Sequence, residues 1–327
     1  MKQTVWIDVS SLDPEWNLAL EEYVFSCMPR DKEYLLLWQN DNAVIIGRHQ
    51  NTLAEIDESY VQQQGIRVVR RLSGGGAVYH DLGNLNFSFI VDAEGGQVDL
   101  ERFCLRISLA LGELGLDARV DGRNDILAQG CKISGNAQYV KEGRVMHHGT
   151  LLFDSDLSVL SKALKPDPEK IRAKGVKSVR SRVANIRALL KQDMTLQAFR
   201  EHLARHLLGG DGLRYELTQQ DLAAVEAIRA QRYGTWEWNY GASPRCDLVR
   251  SSRIEGVGSV RAHIALDRGC IADVIFTGDF FSANDPVLLS QALRGRPLSR
   301  EALADVDPAA YISGMTNADL CRLLLEG

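Results

Sequence analysis

The sequence predicts an α+β protein with a large N-terminal domain, residues 1–242, and a small C-terminal domain, residues 246–327. Short apolar segments typical of buried strands occur in both parts of the chain. Helical periodicity occurs between and after them, but without the regular strand–helix alternation of a parallel α/β sheet. A segment with aromatic residues, glycine and proline, "TWEWNYGASPRC", separates a helical region from a second strand-rich region.

The composition is that of an ordinary globular protein. A chain of 327 residues is long enough for one large domain and a smaller one. Hydrophobic residues make up 45% of the chain and charged residues 25%, which is typical of globular proteins. Its net charge of -5 gives no reason to expect a polyanionic binding partner, so we expect no nucleic-acid partner.

The N-terminal residues lack the charged and then apolar segments of a secretory signal. No run approaches the roughly 18 apolar residues that a membrane span needs. These observations predict a cytoplasmic protein that has no membrane partner. The 6 cysteines show no CxxC or short Cys/His pairing, so neither a zinc site nor a disulfide framework is indicated.

The first helix is predicted over "DPEWNLALEEYVF", where Asp13 can cap and Pro14 suits the first helical position. The apolar residues Trp16, Leu20 and Val24 fall on one face of that helix. The next segments, "EYLLLWQN", "AVIIGRHQN" and "GIRVVRRL", are short, apolar and bounded by turn residues. They are typical of buried strands.

A further strand is predicted after the glycine triplet, because apolar and polar residues alternate there. The apolar set is Leu85, Phe87, Phe89 and Val91, and the polar set is Asn84, Asn86 and Ser88. One face of this strand therefore packs, and the other presents polar groups. The glycine triplet then connects two strands.

The remaining elements follow from periodicity and turn signals. A helix begins near Leu100 and stops before Gly115, and "CKISGNAQYV" and "RVMHHGTLLF" form a hairpin around "KEG". Helical patterns dominate residues 156–233. In the C-terminal domain, two strands are predicted on either side of "DRG", and amphipathic helices such as "NADLCRLLLE" follow. Their alternating apolar residues are Val260, Ala262, Ile264 and Leu266, then Ala272, Val274 and Phe276.

The stretch "RRLSGGGAVYHDLGN" places three glycines after two arginines. It can be a mobile surface turn. Alternatively, glycine lets several backbone N–H groups converge on one anion, and neighbouring arginines add positive charge where a phosphate would lie. The stretch fits neither the GxGxxG nor the GxxxxGK[ST] pattern, so it is neither a Rossmann nor a P-loop motif.

A second candidate cluster lies between residues 122 and 153. Lys132 stands among small and apolar residues at the start of the predicted hairpin. It is either a lysine that extends to water from a strand end or a compact charge for an anionic ligand. His147 and His148 are adjacent, so on a strand they point to opposite faces and cannot form a metal-binding pair. Asp125 can hold magnesium or cap a turn.

Several segments together resemble the signature segments of lipoate–protein ligases. These are "RRLSGGGAVYHDLGN", "NDILAQGCKISGNA", "HHGTLLF" and "KGVKSVRSRVANI", which are similar in order and spacing to the family's motifs. The segments "DPEWNLALEEYVF" and "GRHQN" agree, and "WEWNYG" followed by a small domain resembles the accessory domain of the two-domain form. The resemblance covers essentially the whole chain. It implies a large mixed-sheet catalytic domain of the biotin/lipoate ligase type, although no GRGRRG-like segment of biotin ligases is present.

The resemblance implies a reaction and its cofactors. ATP converts lipoate to lipoyl-AMP, and a lysine of an acceptor then displaces AMP; Mg²⁺ screens the phosphates. Lys132 matches the family's catalytic lysine, and Asp125 is the candidate metal ligand. The implied lipoate- and nucleotide-binding residues are Arg70, Ser73, Gly74, Gly75, Gly76, Ala77, Val78, His80, Asn84, Asp125, Lys132, His148, Gly149, Thr150 and Arg180.

The implied partners are lipoyl domains of 2-oxoacid dehydrogenase complexes and the H protein of glycine cleavage. The basic segment "RAKGVKSVRSRVANIR" can be a nucleic-acid site, a solvated mobile loop or, as the family implies, a loop that closes over the adenylate. We favour the last.

Two other functions compete with a ligase. The first is an ATP-independent octanoyl or lipoyl transferase, since related transferases use a cysteine thioester and Cys131 precedes Lys132. Strand alternation turns Cys131 away from the face that Lys132 occupies, which favours a packing role. The second is a catalytically silent lipoate-binding or regulatory protein. The retained Lys132 and the intact glycine segment argue against it.

Overall fold

The computed structural model describes residues 2–92, 100–122, 124–164, 183–209, 212–241, 248–267, 269–282 and 284–326. It confirms the predicted α+β class. Among these residues, no helix combines the length and the apolar character that crossing a membrane requires. The basic segment is mostly absent from the described ranges, so its role as a closing loop stays a prediction.

The strands of the described residues are numbered in chain order. They are β1 (Thr4–Asp8), β2 (Glu33–Trp38), β3 (Ala43–Ile46), β4 (Arg67–Arg70), β5 (Val78–His80), β6 (Asn84–Asp92), β7 (Ala118–Asp121), β8 (Asp125–Ala128), β9 (Cys131–Lys141), β10 (Arg144–Leu152), β11 (Leu213–Tyr215), β12 (Leu248–Ile254), β13 (Gly258–Asp267) and β14 (Cys270–Gly278).

The helices of the described residues are α1 (Pro14–Cys27), α2 (Thr52–Glu55), α3 (Glu58–Gln63), α4 (Leu100–Glu113), α5 (Leu157–Ala163), α6 (Ile186–Leu189), α7 (Leu196–Leu208), α8 (Gln219–Ile228), α9 (Trp236–Asn239), α10 (Pro286–Leu293), α11 (Arg300–Leu303) and α12 (Asn317–Leu325). A π-helical turn, Arg229–Tyr233, continues α8.

Three sheets organise the described part of the chain. An eight-stranded sheet has the order β11–β1–β2–β6–β10–β9–β8–β7, and two three-stranded sheets have the orders β4–β3–β5 and β12–β13–β14. Strands β11, β1 and β2 run parallel, whereas β2, β6, β10, β9, β8 and β7 pair antiparallel. The large sheet is therefore mixed, as the family resemblance implies.

Both faces of the large sheet are covered. Helices α4 and α7 pack on one face, in a cluster that includes Phe87, Phe103 and Phe199. Helix α1 and the sheet β4–β3–β5 pack on the other face, around residues such as Leu20 and Trp38. The polar residues predicted on one side of β6 point toward this second layer, and they are buried there.

Helix α1 starts where the sequence predicts. The Asp13 carboxylate accepts the backbone N–H groups of Glu15 and Trp16, and Pro14 occupies the first turn. These are the expected partners for free N–H groups at a helix start. The other end is held by Arg144, whose guanidinium donates to the carbonyls of Phe25, Met28 and Pro29.

The predicted hairpin is formed by β9 and β10. Its turn residues Glu142 and Gly143 have φ values of 51° and 71°, so both lie in the left-handed region. A two-residue turn of this kind matches the twist of antiparallel strands, and glycine adopts it without strain. The helix α4 likewise ends before Gly115, whose φ is 81°.

Among the described residues between 156 and 233, one strand occurs that the periodicity does not predict. Strand β11 is only three residues long and pairs parallel with β1 at the edge of the large sheet. Leu213 is exposed, so no apolar alternation marks the strand. A distant pairing partner, rather than local sequence, determines this strand.

In the C-terminal part, the predicted alternation of apolar residues is wrong at one position, Ala272. The register of β13 and β14 shifts between Ala265 and Leu266, where Leu266 pairs with Ile271 and Ala265 with Asp273. The shift leaves Ala272 as the additional residue, exposed to solvent, while Ile271 is buried. A β-bulge of this type changes which side chains face the core.

Candidate functional site

One face of the large sheet carries a patch of polar side chains under α1 and the small sheet. Asn86 and Ser88 of β6 lie directly opposite Thr150 and His148 of β10. Because directly paired residues of antiparallel strands share a face, these side chains form one surface. Apolar partners surround the patch further along the same strands.

Lys132 lies at the edge of this patch. Its Nζ is 2.7 Å from Asp125 Oδ1, and both side chains are about one-third exposed. The pairing of β8 and β9 shifts next to Lys132, so that Ile133 is the additional residue. The bulge brings Lys132 and Gly135 to the same face of the sheet. This geometry supports a lysine that faces the patch over one that extends into solvent from the strand end.

Gly135 provides the space for the lysine side chain. A Cβ at Gly135 would lie 3.0 Å from the Lys132 Nζ, so the ammonium group passes directly over this residue. The Gly135 N–H also donates to Thr150 Oγ1 at 3.3 Å. Lys132, Asp125 and Thr150 are therefore brought together.

The glycine loop, residues 73–78, is held from inside by Arg71. The Arg71 guanidinium donates to the carbonyls of Gly74 and Gly76 at 2.7 and 2.8 Å, and to Ser73 Oγ at 3.0 Å. Burial lowers the pKa of Arg71 to about 10, so it stays charged at neutral pH. The guanidinium thus fixes the direction of two peptide planes.

This arrangement turns backbone N–H groups of the loop outward. In a trans peptide, the C=O and the following N–H point in opposite directions. Since the Gly76 carbonyl points at Arg71, the N–H of Ala77 points away from it. The Gly75 carbonyl packs on Gly47, where a Cβ would approach it to 1.9 Å, so the Gly76 N–H points away from Gly47.

The N–H groups of Gly76 and Ala77 have no acceptor among the described residues. Both residues are only half-buried, so a ligand can reach them. Two adjacent, unpaired N–H groups form the type of concave donor site that binds a phosphate. The geometry supports the phosphate-binding interpretation of the glycine triplet over that of a mobile surface turn.

Arg70, predicted as a nucleotide ligand, is instead enclosed by acceptors of the protein itself. Each guanidinium nitrogen donates within the protein, to the carbonyls of residues 47, 48, 50, 238 and 239 and to Thr52 Oγ1. Burial lowers its pKa to about 10, and it is almost fully enclosed. Arg70 supports the start of the loop, and the described contacts leave its role as a nucleotide ligand without geometric support.

His148 and Ser73 meet beneath the glycine loop. Ser73 Oγ is 2.6 Å from His148 Nε2, and His148 Nδ1 is 2.8 Å from the Glu21 Oε1 of α1. His147 points to the opposite face, as predicted, and lies between the rings of Phe87 and Phe103. The adjacent histidines therefore have separate environments, and only His148 borders the site.

His80 and Asn84 lie in the same polar layer. Asn40 Nδ2 contacts His80 Nδ1 at 3.0 Å, whereas His80 Nε2 has no hydrogen-bond partner among the described residues. Burial and the positive charge of Arg71 lower the pKa of His80 to about 3, so this histidine is neutral at neutral pH. Asn84 Oδ1 is likewise buried without a described partner. These orphaned atoms mark a place where a polar ligand can be recognised.

Two predicted site residues stand apart. Gly149 pairs with Phe87 on the opposite face of the sheet, where a Cβ would lie 2.2 Å from Asn136 Oδ1. Its lack of a side chain is explained by packing, and a ligand contact would have to come from its backbone. Arg180 lies outside the described residues.

Within the described ranges, no group of three His, Cys, Asp or Glu side chains has the geometry of a metal site. Asp125 is one carboxylate, already paired with Lys132. A single carboxylate suits a Mg²⁺ ion that is held mainly by phosphate oxygens and water, and does not suit a metal bound by protein alone. The residues present therefore fit a metal that arrives with a nucleotide.

Three residues contribute to the site without a role predicted from the sequence. The first is Arg71; adjacent residues of a strand point to opposite faces, so only one of Arg70 and Arg71 can face the loop. Glu21 shows no sequence signal, since an acidic residue in a helix normally faces water. Phe280 belongs to the C-terminal part, and its carbonyl accepts the Gly75 N–H at 3.2 Å.

The C-terminal part contacts the glycine loop and the segment before it. The Gly278 N–H donates to the His49 carbonyl at 2.7 Å, and the His49 and Phe280 rings stack 4.7 Å apart. A Cβ at Gly74 would lie 2.2 Å from the Phe280 carbonyl oxygen. The triplet therefore needs glycine at this position for a contact between distant segments of the chain.

Comparison with known families matches both parts of the chain. A family model described as the lipoyl protein ligase A/B catalytic domain matches residues 13–208, and one described as the bacterial lipoate protein ligase C-terminus matches residues 243–324. The chain is 44% identical to a lipoate-protein ligase of Bacillus subtilis, covering 95% of this chain and 97% of that protein. It is 40% identical to lipoate-protein ligase 1 of Staphylococcus aureus, with the same coverage.

Solved structures agree with these matches. LipL1 of P. falciparum, in complex with lipoate, superimposes with a TM-score of 0.83 at 21% identity, covering 99% of this chain and 100% of that one, which is a likeness of fold. A lipoate-protein ligase A bound with ATP gives a TM-score of 0.63 at 30% identity, covering 74% and 99%. The bi-partite ligase of Thermoplasma acidophilum, described with its E2 lipoyl domain, gives 0.66 at 31% identity, covering 76% and 100%.

Proposed function

We propose, because this chain belongs to the lipoate–protein ligase family, that the site on the large sheet activates lipoate with ATP and transfers the lipoyl group to a protein lysine. In the first step, a lipoate carboxylate oxygen attacks the α-phosphorus of ATP and diphosphate leaves. In the second step, the acceptor amine attacks the carbonyl carbon of lipoyl-AMP and AMP leaves. Both steps place negative charge near one phosphorus atom.

The observation that carries the proposal is the shared position of Lys132 and the glycine loop. Thr150 lies beside Lys132, and His148, two residues earlier on the same face of β10, contacts Ser73 of the loop. A cation and outward N–H groups thus border one patch of the sheet. Such groups stabilise developing negative charge because they are already oriented before the reaction begins.

We assign the residues as follows. Lys132 would contact the lipoate carboxylate and the α-phosphate, and it would exchange its Asp125 partner for the substrate. The N–H groups of Gly76 and Ala77 would bind phosphate oxygens. Asp125 would then hold the Mg²⁺ that accompanies ATP and screens its phosphates. His80, Asn84 and Thr150 would surround the ligand, and Arg180 stays a candidate on sequence grounds alone.

The acceptor and the domain division belong to the same proposal. A related bi-partite ligase is described with an E2 lipoyl domain, which supports lipoyl domains as acceptors. We extend this to the dehydrogenase complexes and the glycine-cleavage H protein, in the cytoplasm. The division at residues 242–246 is supported by a C-terminal hydrophobic cluster whose buried members lie between Ile254 and Leu324.

A single assay tests the function. Purified protein is incubated with lipoate, Mg²⁺-ATP and an apo lipoyl domain, and the acceptor is then weighed by intact mass spectrometry. We expect a mass increase of one lipoyl group, which disappears without ATP. A lysine-to-arginine acceptor variant is the matched control and should stay unmodified. Modification of the acceptor from free lipoate without ATP would contradict the proposal.

A further inference from the structure

A buried line of hydrogen bonds joins helix α1 to the glycine loop. Its members are Glu21, His148, Ser73 and Arg71, with distances of 2.8, 2.6 and 3.0 Å between successive partners. Glu21 and Ser73 are each 1% exposed and His148 is 7% exposed. The line crosses from one layer of the protein to the next, so it can transmit a constraint from the helix to the loop.

The two ends of the line have fixed donor and acceptor roles. The Glu21 carboxylate only accepts, so His148 donates through Nδ1. An arginine only donates, so Arg71 Nε donates to Ser73 Oγ. His148 Nε2 and Ser73 Oγ form the central hydrogen bond of the line, at 2.6 Å. The Arg71 guanidinium and the Glu21 carboxylate therefore lie at opposite ends of one continuous line.

The Glu21 end is fixed by a second branch. Ser88 Oγ donates to Glu21 Oε1 at 2.5 Å and accepts from Trp38 Nε1 at 2.9 Å. The carboxylate is thus held from two sides and cannot rotate without breaking one of these bonds. Its negative charge also favours the charged form of Arg71, whose pKa burial otherwise lowers.

The other end of the line is the loop itself. Arg71 uses the same guanidinium for Ser73 and for the carbonyls of Gly74 and Gly76. Arg71 Nη1 also donates to the Ile45 carbonyl at 3.2 Å, so losing the Ser73 contact removes one of the four hydrogen bonds that orient the guanidinium and loosens the peptide planes it fixes. The outward direction of the Gly76 and Ala77 N–H groups therefore depends on the whole line.

We propose that Glu21 and His148 are positioning residues for the glycine loop, acting through the Ser73 hydroxyl to hold Arg71 and the loop N–H groups in a phosphate-binding arrangement. Ser73 is then a support of the loop. The link to phosphate rests on the function proposed above. The link between Glu21 and the loop conformation does not depend on that function.

The test compares Glu21→Gln, Ser73→Ala and the double variant. Removing either member should raise the KM for ATP in lipoyl-AMP formation about tenfold, which corresponds to one hydrogen bond to a charged group, with a smaller change in kcat. Because both act through the same line, the double variant should be no more than about twofold worse than the poorer single variant. The KM for lipoate should change less than the KM for ATP.

Hydrogen exchange gives a readout that needs no activity. In the peptide of residues 73–78, the Gly75 amide, which is hydrogen-bonded to the Phe280 carbonyl, should exchange about tenfold faster in Glu21→Gln than in the wild type, while the peptide containing β9 stays unchanged. Ser73→Ala removes only one oxygen atom, so it tests the line even where Glu21→Gln does not fold. Melting temperatures of each variant show whether the fold is retained.

His147→Gln is the matched control, because His147 is the same residue type at the adjacent position and contacts Gln138 and aromatic rings. It should lower the melting temperature but leave the exchange of residues 73–78 and the KM for ATP unchanged. Unaltered loop exchange in both Glu21→Gln and Ser73→Ala would overturn the proposal. Wild-type protein that forms no lipoyl-AMP would instead contradict the proposed function, and the exchange result would still stand.

Discussion

Two adjacent arginines show what single residues can and cannot reveal. Arg70 and Arg71 both precede the glycines, and either could face a phosphate. In the structure, Arg70 donates hydrogen bonds to the carbonyls around residues 47–50, whereas Arg71 donates to carbonyls on the inside of the loop. The charge of both was predictable, but their partners were not, because these belong to segments that only the folded chain brings together.

Lys132 is the residue on which the proposed chemistry depends most directly. Lys132→Ala should lower the rate of lipoyl-AMP formation roughly 10²–10³-fold, because one oriented charge at the reacting phosphate is lost. Stability should change little, since the side chain is partly exposed and its ion pair with Asp125 is near the surface. The measurement is single-turnover formation of radiolabelled lipoyl-AMP.

Lys141→Ala is the control for that experiment. Lys141 lies at the other end of the same strand, and its side chain is exposed next to Glu142. This variant removes the same charge from the protein but should retain normal adenylate formation. Near-normal activity of Lys132→Ala would contradict the proposed role of Lys132 in the site, whatever the result for Lys141→Ala.

Cys131 separates the ligase from the rival transferase. It is half-buried, and the bulge beside it falls at Ile133, after Lys132, so the bulge does not bring the thiol to the lysine face. Cys131→Ser should therefore keep most of the ligase activity. Intact mass spectrometry of the wild type after reaction should reveal no hydroxylamine-sensitive lipoyl adduct. An adduct at Cys131 that reaches the acceptor without ATP would favour the transferase.

At the scale of elements, sequence periodicity predicts the helices and strands whose formation depends on packing of a regularly spaced buried face. Helix α1, the hairpin β9–β10 and the alternation in β6 follow from the sequence, because their buried faces repeat at regular spacing. The two bulges, at Ile133 and Ala272, could not be predicted from the sequence. A bulge depends on the partner strand, and the one at Ile133 brings Lys132 and Gly135 to the same face.

The glycine loop permits two contrasting substitutions. Gly75 has a φ of 92°, and a Cβ there would lie 3.0 Å from the Arg71 guanidinium. Gly75→Ala should therefore strain the backbone by roughly 1–2 kcal/mol and disturb the peptide planes that Arg71 holds. We expect a higher KM for ATP, measured in the adenylation assay, together with a moderate loss of stability. A KM equal to that of the wild type would show that the loop is only a turn.

Gly74→Ala tests a different contact of the same loop. Gly74 does not have a positive φ, but a Cβ would lie 2.2 Å from the Phe280 carbonyl oxygen. The expected result is displacement of the C-terminal part, seen as faster proteolysis or increased hydrogen exchange of residues 278–282. Gly65→Ala is a useful comparison, since it has a φ of 60° but open space around it. Unchanged exchange at residues 278–282 in Gly74→Ala would contradict this interpretation of the triplet.

For the whole molecule, the contact between the C-terminal part and the loop is the feature furthest from sequence prediction. The sequence predicted two domains and their order, and the family models match the two parts separately. That Phe280 reaches Gly75, and that His49 lies under Phe280, follows from neither composition nor periodicity. These residues are more than 200 positions apart, and only the complete fold brings them together.

His49 makes the stability of this contact dependent on pH. Burial, together with the charges of Arg48 and Arg70, lowers the pKa of His49 to about 3, and its Nε2 lies 2.8 Å from Ser282 Oγ. The folded protein therefore keeps His49 neutral, whereas the unfolded chain binds a proton below its ordinary pKa of about 6.5. Its stabilising effect is complete above that value and is lost as the pH falls toward 3.

We expect the free energy of unfolding to fall between pH 7.5 and pH 5.0, with about 2 kcal/mol of that loss due to His49. Urea unfolding at both pH values measures the loss, and His49→Gln isolates the contribution of this residue because glutamine does not titrate. The loss in His49→Gln should be smaller than in the wild type by about that amount. His80, whose pKa burial also lowers to about 3, stays in both proteins, so a remaining pH dependence is expected. Equal losses in the wild type and His49→Gln would show that His49 is protonated in the folded protein, and that its stacking on Phe280 does not require the neutral ring.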